Sequence, residues 1–206
     1  MARDHQHTTP LVLSSARPDA AAHPLQRVAL GRAGANGSRY DEAWVQRLIH
    51  DHPTLLPIAE LEPDLVPALP VCLELPTPAG FADNLFITPR GGLVLAECKL
   101  WRNPEARRQV VAQVIDYARC LVDWTYGDLE AAAANGRLPD GSPTSGSLWD
   151  RVAPDAELDE SAFVDAVSRN LRLGRVLLLV VGDGIREGAE SLANYLQVHA
   201  GLRCSS

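Results

Sequence analysis

The chain has 206 residues, a formal net charge of −7 at pH 7 and 46% hydrophobic residues. This length and composition predict one domain with a substantial core. No apolar run reaches membrane-spanning length and no hydrophobic signal segment begins the chain, so we expect a cytoplasmic protein that contacts no membrane. Its four cysteines are scattered without a C-x-x-C pair, which argues against a zinc site and favours reduced thiols.

The start of the chain predicts a tail followed by a helix. Residues 1–36 are rich in Ala, Pro, Arg and Gly without a period, so we expect a flexible tail ahead of a single domain over residues 37–206. A first helix is predicted over about residues 39–51, with Ser38 and Asp41 as a weak capping box. Glu42 lies on the edge of its apolar face, where an acidic residue is equally well explained by the helix dipole.

A β-hairpin is predicted in the middle of the chain, after a short strand over residues 71–75. Its strands cover residues 82–88 and 92–99, and Pro89, Arg90 and Gly91 have the composition of a short hairpin loop. With Thr88 opposite Gly92, the facing pairs are Ile87 with Leu93, Leu85 with Leu95, and Asp83 with Glu97. Alternation along the second strand places Glu97 and Lys99 on one face and Cys98 on the other.

These residues form a candidate metal site. Two carboxylates at cross-strand distance repel each other unless a cation lies between them, and oxygen ligands suit Mg²⁺. Lys99 could orient or deprotonate an attacking water, or neutralise charge that grows on a phosphate. A Glu-x-Lys triplet alone is more often an ordinary surface pair. However, Lys99 is the only lysine among 19 basic residues, which suggests a position that Arg cannot fill.

The next element is a helix that Asn103, Pro104 and Glu105 start and that runs to about Trp124. Gln113 and Tyr117 are four residues apart, so they lie together on one flank of its apolar stripe. From there they could reach a phosphate or a water of the site. A Gln and a Tyr that border a core helix are otherwise unremarkable.

The last part of the chain is predicted to hold an insertion, a strand and a helix. Residues 126–171 predict a helical and loop insertion, with helices over residues 129–134 and 159–171. The apolar run 175–181 predicts a strand buried on both faces, and residues 186–199 a final helix. The spacing of Gly182, Gly184 and Gly188 weakly matches a dinucleotide-binding loop, which keeps a nucleotide-binding protein as a minor alternative.

Charge is distributed unevenly along the chain. Residues 128–165 hold nine acids and two arginines, which equals the whole excess of negative charge. Between residues 97 and 119 the basic residues outnumber the acids by two. We interpret this stretch as a weakly basic cleft in which Arg102, Arg107 and Arg108 bind substrate phosphates. The alternative is a solvated helix face.

Asp83 followed by Glu97-Cys98-Lys99 resembles the D…(D/E)-x-K core of the PD-(D/E)xK nuclease superfamily. Gln113 and Tyr117 resemble the Q-x-x-x-Y motif of its RecB-like and Cas4-like branches. The resemblance covers about residues 41–200, and Ala82 replaces the proline of the name. It implies a restriction-endonuclease-like α/β (α+β) fold. Such a fold has an αβββαβ core, in which helices flank a central mixed sheet.

The resemblance also implies chemistry. The catalytic residues would be Asp83, Glu97, Lys99, Gln113 and Tyr117. Mg²⁺ or Mn²⁺ would be held by Asp83, Glu97, the Cys98 carbonyl and Glu42, since an acid of the first helix often completes the site in this superfamily. The expected activity is hydrolysis of DNA phosphodiesters, in DNA repair or defence.

Other features of the function stay open. The scattered cysteines argue against the iron–sulfur cluster of some relatives, and whether the chain forms a homodimer is not determined by the sequence. The alternative function is a non-catalytic nuclease-fold module that binds nucleic acid or a protein partner. The acidic insertion favours this module, whereas the complete set of carboxylates and the solitary lysine oppose it.

Overall fold

The computed structural model of the chain describes residues 11–13, 21–24, 41–100, 106–156, 158–182 and 204–205. The chain divides into two compact units, Met1–Asp41 and Glu42–Ser206. In the first unit, strand β1 (Leu11–Leu13) pairs antiparallel with β2 (Ala22–Pro24). Both strands lie inside residues 1–36, for which flexibility stays a prediction.

Within the described part of the second unit, five strands form one mixed sheet in the order β3-β4-β5-β6-β7. The strands are β3 (Leu69–Thr77), β4 (Gly80–Ile87), β5 (Leu93–Lys99), β6 (Val176–Gly182) and β7 (Cys204–Ser205). The first three form an antiparallel meander, while β6 joins β5 in parallel and β7 joins β6 in parallel.

Helices flank this sheet, which confirms the predicted mixed α/β class with a central mixed sheet. They are α1 (Glu42–Asp51), α2 (Ile58–Leu61), α3 (Ala106–Val122), α4 (Tyr126–Ala134), α5 (Leu148–Val152) and α6 (Glu160–Arg172). Helices α4, α5 and α6 lie between α3 and β6, where the insertion was predicted. Among the described residues, no helix is both long enough and apolar enough to cross a membrane.

Several predicted features lie outside the described residues. These are the cap at Ser38, Arg102, the helix start at Asn103 and Pro104, the helix over residues 186–199 and the glycines Gly184 and Gly188. The backbone of Arg107 and Arg108 belongs to α3, but their side chains are also outside the described part.

The main core lies between the sheet and helices α3 to α6. Leu85, Leu95 and Leu178 of the strands meet Leu121 of α3 and Phe163 of α6 there, all buried. Strand β6 also buries Leu177 and Leu179, and these lie on the other face because successive strand residues point to opposite sides. The sheet is thus buried on both faces along β6, as its continuous apolar run predicts.

The β4–β5 hairpin has the predicted register for two of the three predicted pairs, whereas Asp83 and Glu97 lie just beyond the end of the ladder. Ile87 pairs with Leu93 and Leu85 with Leu95, and the Thr88 N–H donates to the Gly92 carbonyl at 2.9 Å. In the loop, Gly91 has a φ of +76°, and a Cβ there would lie 2.9 Å from the Cβ of Ala166 on α6. Gly91 therefore meets two demands, a left-handed backbone and a close approach to α6.

We expect Gly91→Ala to lower the free energy of unfolding by about 2–4 kcal/mol, because it combines a left-handed alanine with overpacking against α6. Gly141→Ala is the matched control, since Gly141 has a φ of +84° but open space where its Cβ would lie. The control should cost only about 1–2 kcal/mol. Urea denaturation of both variants measures the difference, and equal losses would contradict the steric part of this explanation.

Candidate active site

The candidate site lies where strands β4 and β5 separate. Their ladder ends at the pair Asn84–Ala96, so Asp83, the preceding residue of β4, lies just outside it. There the Cys98 N–H donates to Oδ2 of Asp83 at 2.7 Å, so a side-chain carboxylate replaces the backbone carbonyl that a continued ladder would provide. Strand β3 stays paired with β4 as far as Gly80. The Asp83 side chain therefore bridges the gap between the diverging strands.

Glu97 lies beside Asp83 and is buried, with only 6% of its surface exposed. Burial first, and the Asp83 charge second, raise the pKa of Glu97 to about 8, although a hydrogen bond from the Asp83 backbone opposes the shift. Among the described residues, no group donates a hydrogen bond to Oε2 of Glu97. A buried carboxylate oxygen without a donor is costly. A cation or a proton at this oxygen would remove that cost.

The pKa of Asp83 is also raised, to about 6, and burial is the largest cause. The hydrogen bond from Cys98 lowers it, whereas the charge of Glu42 raises it. Both carboxyl groups of the predicted pair are therefore held in an environment that disfavours their charged forms. Such perturbed pairs are typical of functional sites, although structural networks can also produce them.

Lys99 and Glu42 complete the cluster. Oε1 of Glu42 lies 3.1 Å from Nζ of Lys99 and also accepts a hydrogen bond from the Leu100 N–H at 3.1 Å. The two side chains are 32% and 40% exposed, so this edge of the site is open to solvent. The charges of Lys99 and Glu42 affect the pKa values of both Asp83 and Glu97. The structure thus brings together four of the predicted residues, with Glu42 in contact with Lys99.

Gln113 and Tyr117 attach α3 to strand β4. The Gln113 amide donates to the Tyr117 hydroxyl, which donates in turn to the Phe81 carbonyl at 2.6 Å. Tyr117 is buried, and burial raises its pKa to about 12, with smaller contributions from Glu97 and Asp83. These bonds fix β4 two residues before Asp83. The role in orienting substrate that the sequence suggested for Gln113 and Tyr117 stays a prediction.

Cys98 points away from this pair of carboxylates along the strand alternation. Its thiol is buried, lies 3.9 Å from Oδ1 of Asn84, and has a pKa raised chiefly by burial. The metal-ligand role predicted for the Cys98 carbonyl stays a prediction, as does phosphate binding by Arg102, Arg107 and Arg108. Within the described ranges, no group of three or more His, Cys, Asp or Glu side chains is arranged to hold a metal ion.

Sequence reasoning missed Gln46. Its amide donates to Oδ1 of Asp83 at 2.6 Å, and its backbone carbonyl accepts a hydrogen bond from the Asn84 amide at 3.1 Å. Gln46 follows Glu42 by four residues, so both lie on the same edge of α1. That spacing was the one available signal, because nothing in the sequence pairs a residue of α1 with a residue of β4.

Comparison of the chain with protein-family models, with curated proteins and with solved structures finds no match. The family resemblance therefore rests on the motifs alone.

The raised pKa of Glu97 predicts how stability depends on pH. An unfolded glutamate releases its proton near its ordinary pKa of 4.5, whereas folded Glu97 keeps it to about pH 8. The folded state then binds more protons in this interval, so the free energy of unfolding falls as the pH rises through it. Asp83 adds a fall of the same sign between 3.8 and about 6.

We expect Glu97→Gln to remove most of this fall, because a neutral amide has no proton to lose. Above about pH 8 and with chelator present, the variant should melt a few degrees above wild type, for a difference on the order of 1–2 kcal/mol. Thermal melts between acidic and alkaline pH measure this. Glu60→Gln, at an exposed position of α2, is the control, and an identical gain there would refute the explanation.

Proposed function

We propose that this protein is a metal-dependent nuclease of the PD-(D/E)xK superfamily that hydrolyses DNA phosphodiester bonds. The observation that carries the proposal is the pair Asp83 and Glu97, side by side where two strands diverge, with a buried Glu97 oxygen to which none of the described residues donates. The only lysine of the chain is close enough for its charge to lower the pKa of both carboxyl groups. Carboxylates and a lysine in this arrangement suit activation of water at a phosphate.

The order of elements supports the finer fold assignment. Helix α1 is followed by the meander β3–β4–β5, then by α3, and β6 returns parallel to β5. This is the αβββαβ order of a restriction-endonuclease-like core, with α4, α5 and α6 inserted before the last strand. The carboxylates lie on the central strands of that order, β4 and β5.

The residues present fit a hard divalent cation such as Mg²⁺ or Mn²⁺. Oε2 of Glu97 lacks a donor within the described part of the chain. Each Asp83 oxygen accepts one hydrogen bond from the protein, from Gln46 or from Cys98, and so keeps a second lone pair. Asp83 and Glu97, with the Cys98 carbonyl, would hold the ion. When bound, it supplies a more acidic water and offsets the charge of the phosphate.

The side chains around the carboxylates then have distinct tasks. Lys99 is within reach of solvent and places its amine beside the carboxylates, where it can orient the attacking water and stabilise charge that develops on the phosphate. Glu42 holds this amine at 3.1 Å. Tyr117, through the Phe81 carbonyl, fixes the strand that carries Asp83.

The second candidate is a non-catalytic module of the same fold, and the acidic insertion is the observation that favours it. Part of that acidity is structural, however. Asp128, Asp150 and Asp159 accept hydrogen bonds or provide caps at the starts of α4, α5 and α6. Because helix caps explain these three acids, they give no support to an acidic surface selected for a partner.

The direct test is incubation of the protein with plasmid, linear and single-stranded DNA in the presence of Mg²⁺, Mn²⁺ or EDTA. We expect cleavage with metal and none with EDTA. Asp83→Asn and Glu97→Gln should each abolish cleavage while the circular dichroism spectrum stays unchanged, because both keep side-chain volume and remove a charged ligand.

Glu74→Gln is the matched control. Glu74 is a neighbouring carboxylate on β3 whose charge reaches Asp83, but it pairs with Arg137 at 3.2 Å. The Glu74→Gln variant should cleave DNA as well as the wild type does. Loss of activity in all three variants would mean that general charge near the site, rather than the proposed pair, is required.

A substitution at Lys99 separates catalyst from binding module. Lys99→Arg keeps the charge but exchanges a compact ammonium for a planar, permanently protonated group. A phosphate clamp should tolerate this, since Arg binds phosphate at least as well. A residue that fits beside the attacking water should not, so we expect hydrolysis to fall by at least about a hundredfold with DNA affinity little changed. Wild type without hydrolysis in any metal, together with unchanged DNA binding by Lys99→Arg, would establish the module.

A further inference from the structure

Helix α1 is joined to strand β4 by two hydrogen bonds at adjacent residues. The Asn84 amide donates to the backbone carbonyl of Gln46, and the Gln46 amide donates to Oδ1 of Asp83. Asn84 is wholly buried, so its bond is shielded from water. The two bonds use different parts of Gln46, which allows their purposes to be separated.

The bond from Asn84 attaches α1 to β4 without using the Gln46 side chain. It uses a backbone carbonyl that any residue at position 46 would supply, and Val45 and Ile49 of the same helix are buried. The attachment of α1 thus has contributions that a substitution at Gln46 leaves in place. The Gln46 amide instead contacts Asp83, the carboxylate of the proposed metal site that lies on β4.

The orientation of the Asp83 carboxylate is set by two donors on its two oxygens. Cys98 N–H holds Oδ2 at 2.7 Å and the Gln46 amide holds Oδ1 at 2.6 Å. The Cys98 donor is a backbone group, so a side-chain substitution at that position does not remove it. Without the bond from Gln46, the carboxylate could rotate about its bond to Cβ. The lone pairs of its oxygens would then no longer be held in a fixed direction.

We infer that Gln46 is a positioning residue of the metal site, whose amide fixes the Asp83 carboxylate so that a divalent cation can bind between it and Glu97. This inference rests on the proposed function. Groups that hydrogen-bond to metal ligands typically contribute about 10–100-fold to metal affinity or activity. A substitution at Gln46 should therefore lower the affinity for metal, although Gln46 is not itself a metal ligand.

The test uses the full chain and Mn²⁺ alone, with binding followed by electron paramagnetic resonance and by calorimetry. Gln46→Met keeps the length of the side chain and the backbone carbonyl but cannot donate. We expect its dissociation constant for Mn²⁺ to rise about 10–100-fold. Cleavage by this variant should recover as Mn²⁺ is raised, because the loss lies in metal affinity rather than in the chemical step.

Ile49→Val is the control for a general loosening of α1, since it removes one methylene from a buried residue of the same helix. It should lower thermal stability and leave the Mn²⁺ affinity unchanged. Gln46→Asn is a second variant, whose amide is one methylene too short to reach Asp83, and it should weaken Mn²⁺ binding as Gln46→Met does.

The outcomes distinguish this inference from the proposed function. Wild-type affinity in both Gln46 variants, with binding lost in Glu97→Gln, would overturn the role of Gln46 and leave the metal site standing. An equal loss of affinity in Ile49→Val would also overturn it. Absence of Mn²⁺ binding by wild type would overturn both proposals together.

Discussion

Placing one carboxylate in the interior beside another is unfavourable, and the local structure of this protein depends on that cost. Burial raises the pKa values of both Glu97 and Asp83 more than any neighbouring charge does. Contact with water would reduce this cost, but Glu97, near the end of β5, has little contact with solvent. The rest of the fold must therefore supply the stability that these two groups remove. The apolar core between the sheet and helices α3 to α6 contributes to that stability.

Three elements fix the strands that carry the pair. Helix α1 reaches Asp83 through Gln46 and Lys99 through Glu42, and α3 reaches the backbone of β4 through Tyr117. Strand β3 pairs with β4 beyond the point where β5 leaves it. Strand β4 is therefore held near Asp83 by β3, α1 and α3 in addition to the bond from Cys98 of β5. Functional groups held by regular elements in this way keep a more exact geometry than groups on loops.

The parts of this arrangement that follow from local patterns could be predicted from the sequence. Strand alternation and the composition of the loop give the register of β4 and β5, and hence the proximity of Asp83 and Glu97. The contacts that connect distant segments could not. Gln46 and Asp83 are 37 residues apart and Tyr117 and Phe81 are 36 apart, and no periodicity links such pairs.

Burial also lies beyond sequence patterns. The sequence places Glu97 at the end of a strand, where a glutamate is ordinarily solvated, whereas in the structure only 6% of its surface is exposed. Glu42 illustrates the same difference. Its position on the edge of α1 could be predicted, but its partner among the charged groups could not. The pairing with Lys99 depends on how α1 meets the end of β5.

A chain with a single lysine has a single side-chain amine, and the structure places that amine at the candidate site. Lys99 is about one-third exposed and is held by Glu42. Acylation of that amine would remove its positive charge and, with it, the ion pair with Glu42. Peptide mapping separates this label from the one on the α-amine of the chain. The extent of labelling at Lys99 therefore reports how open this edge of the site is, in a protein that carries no engineered residue.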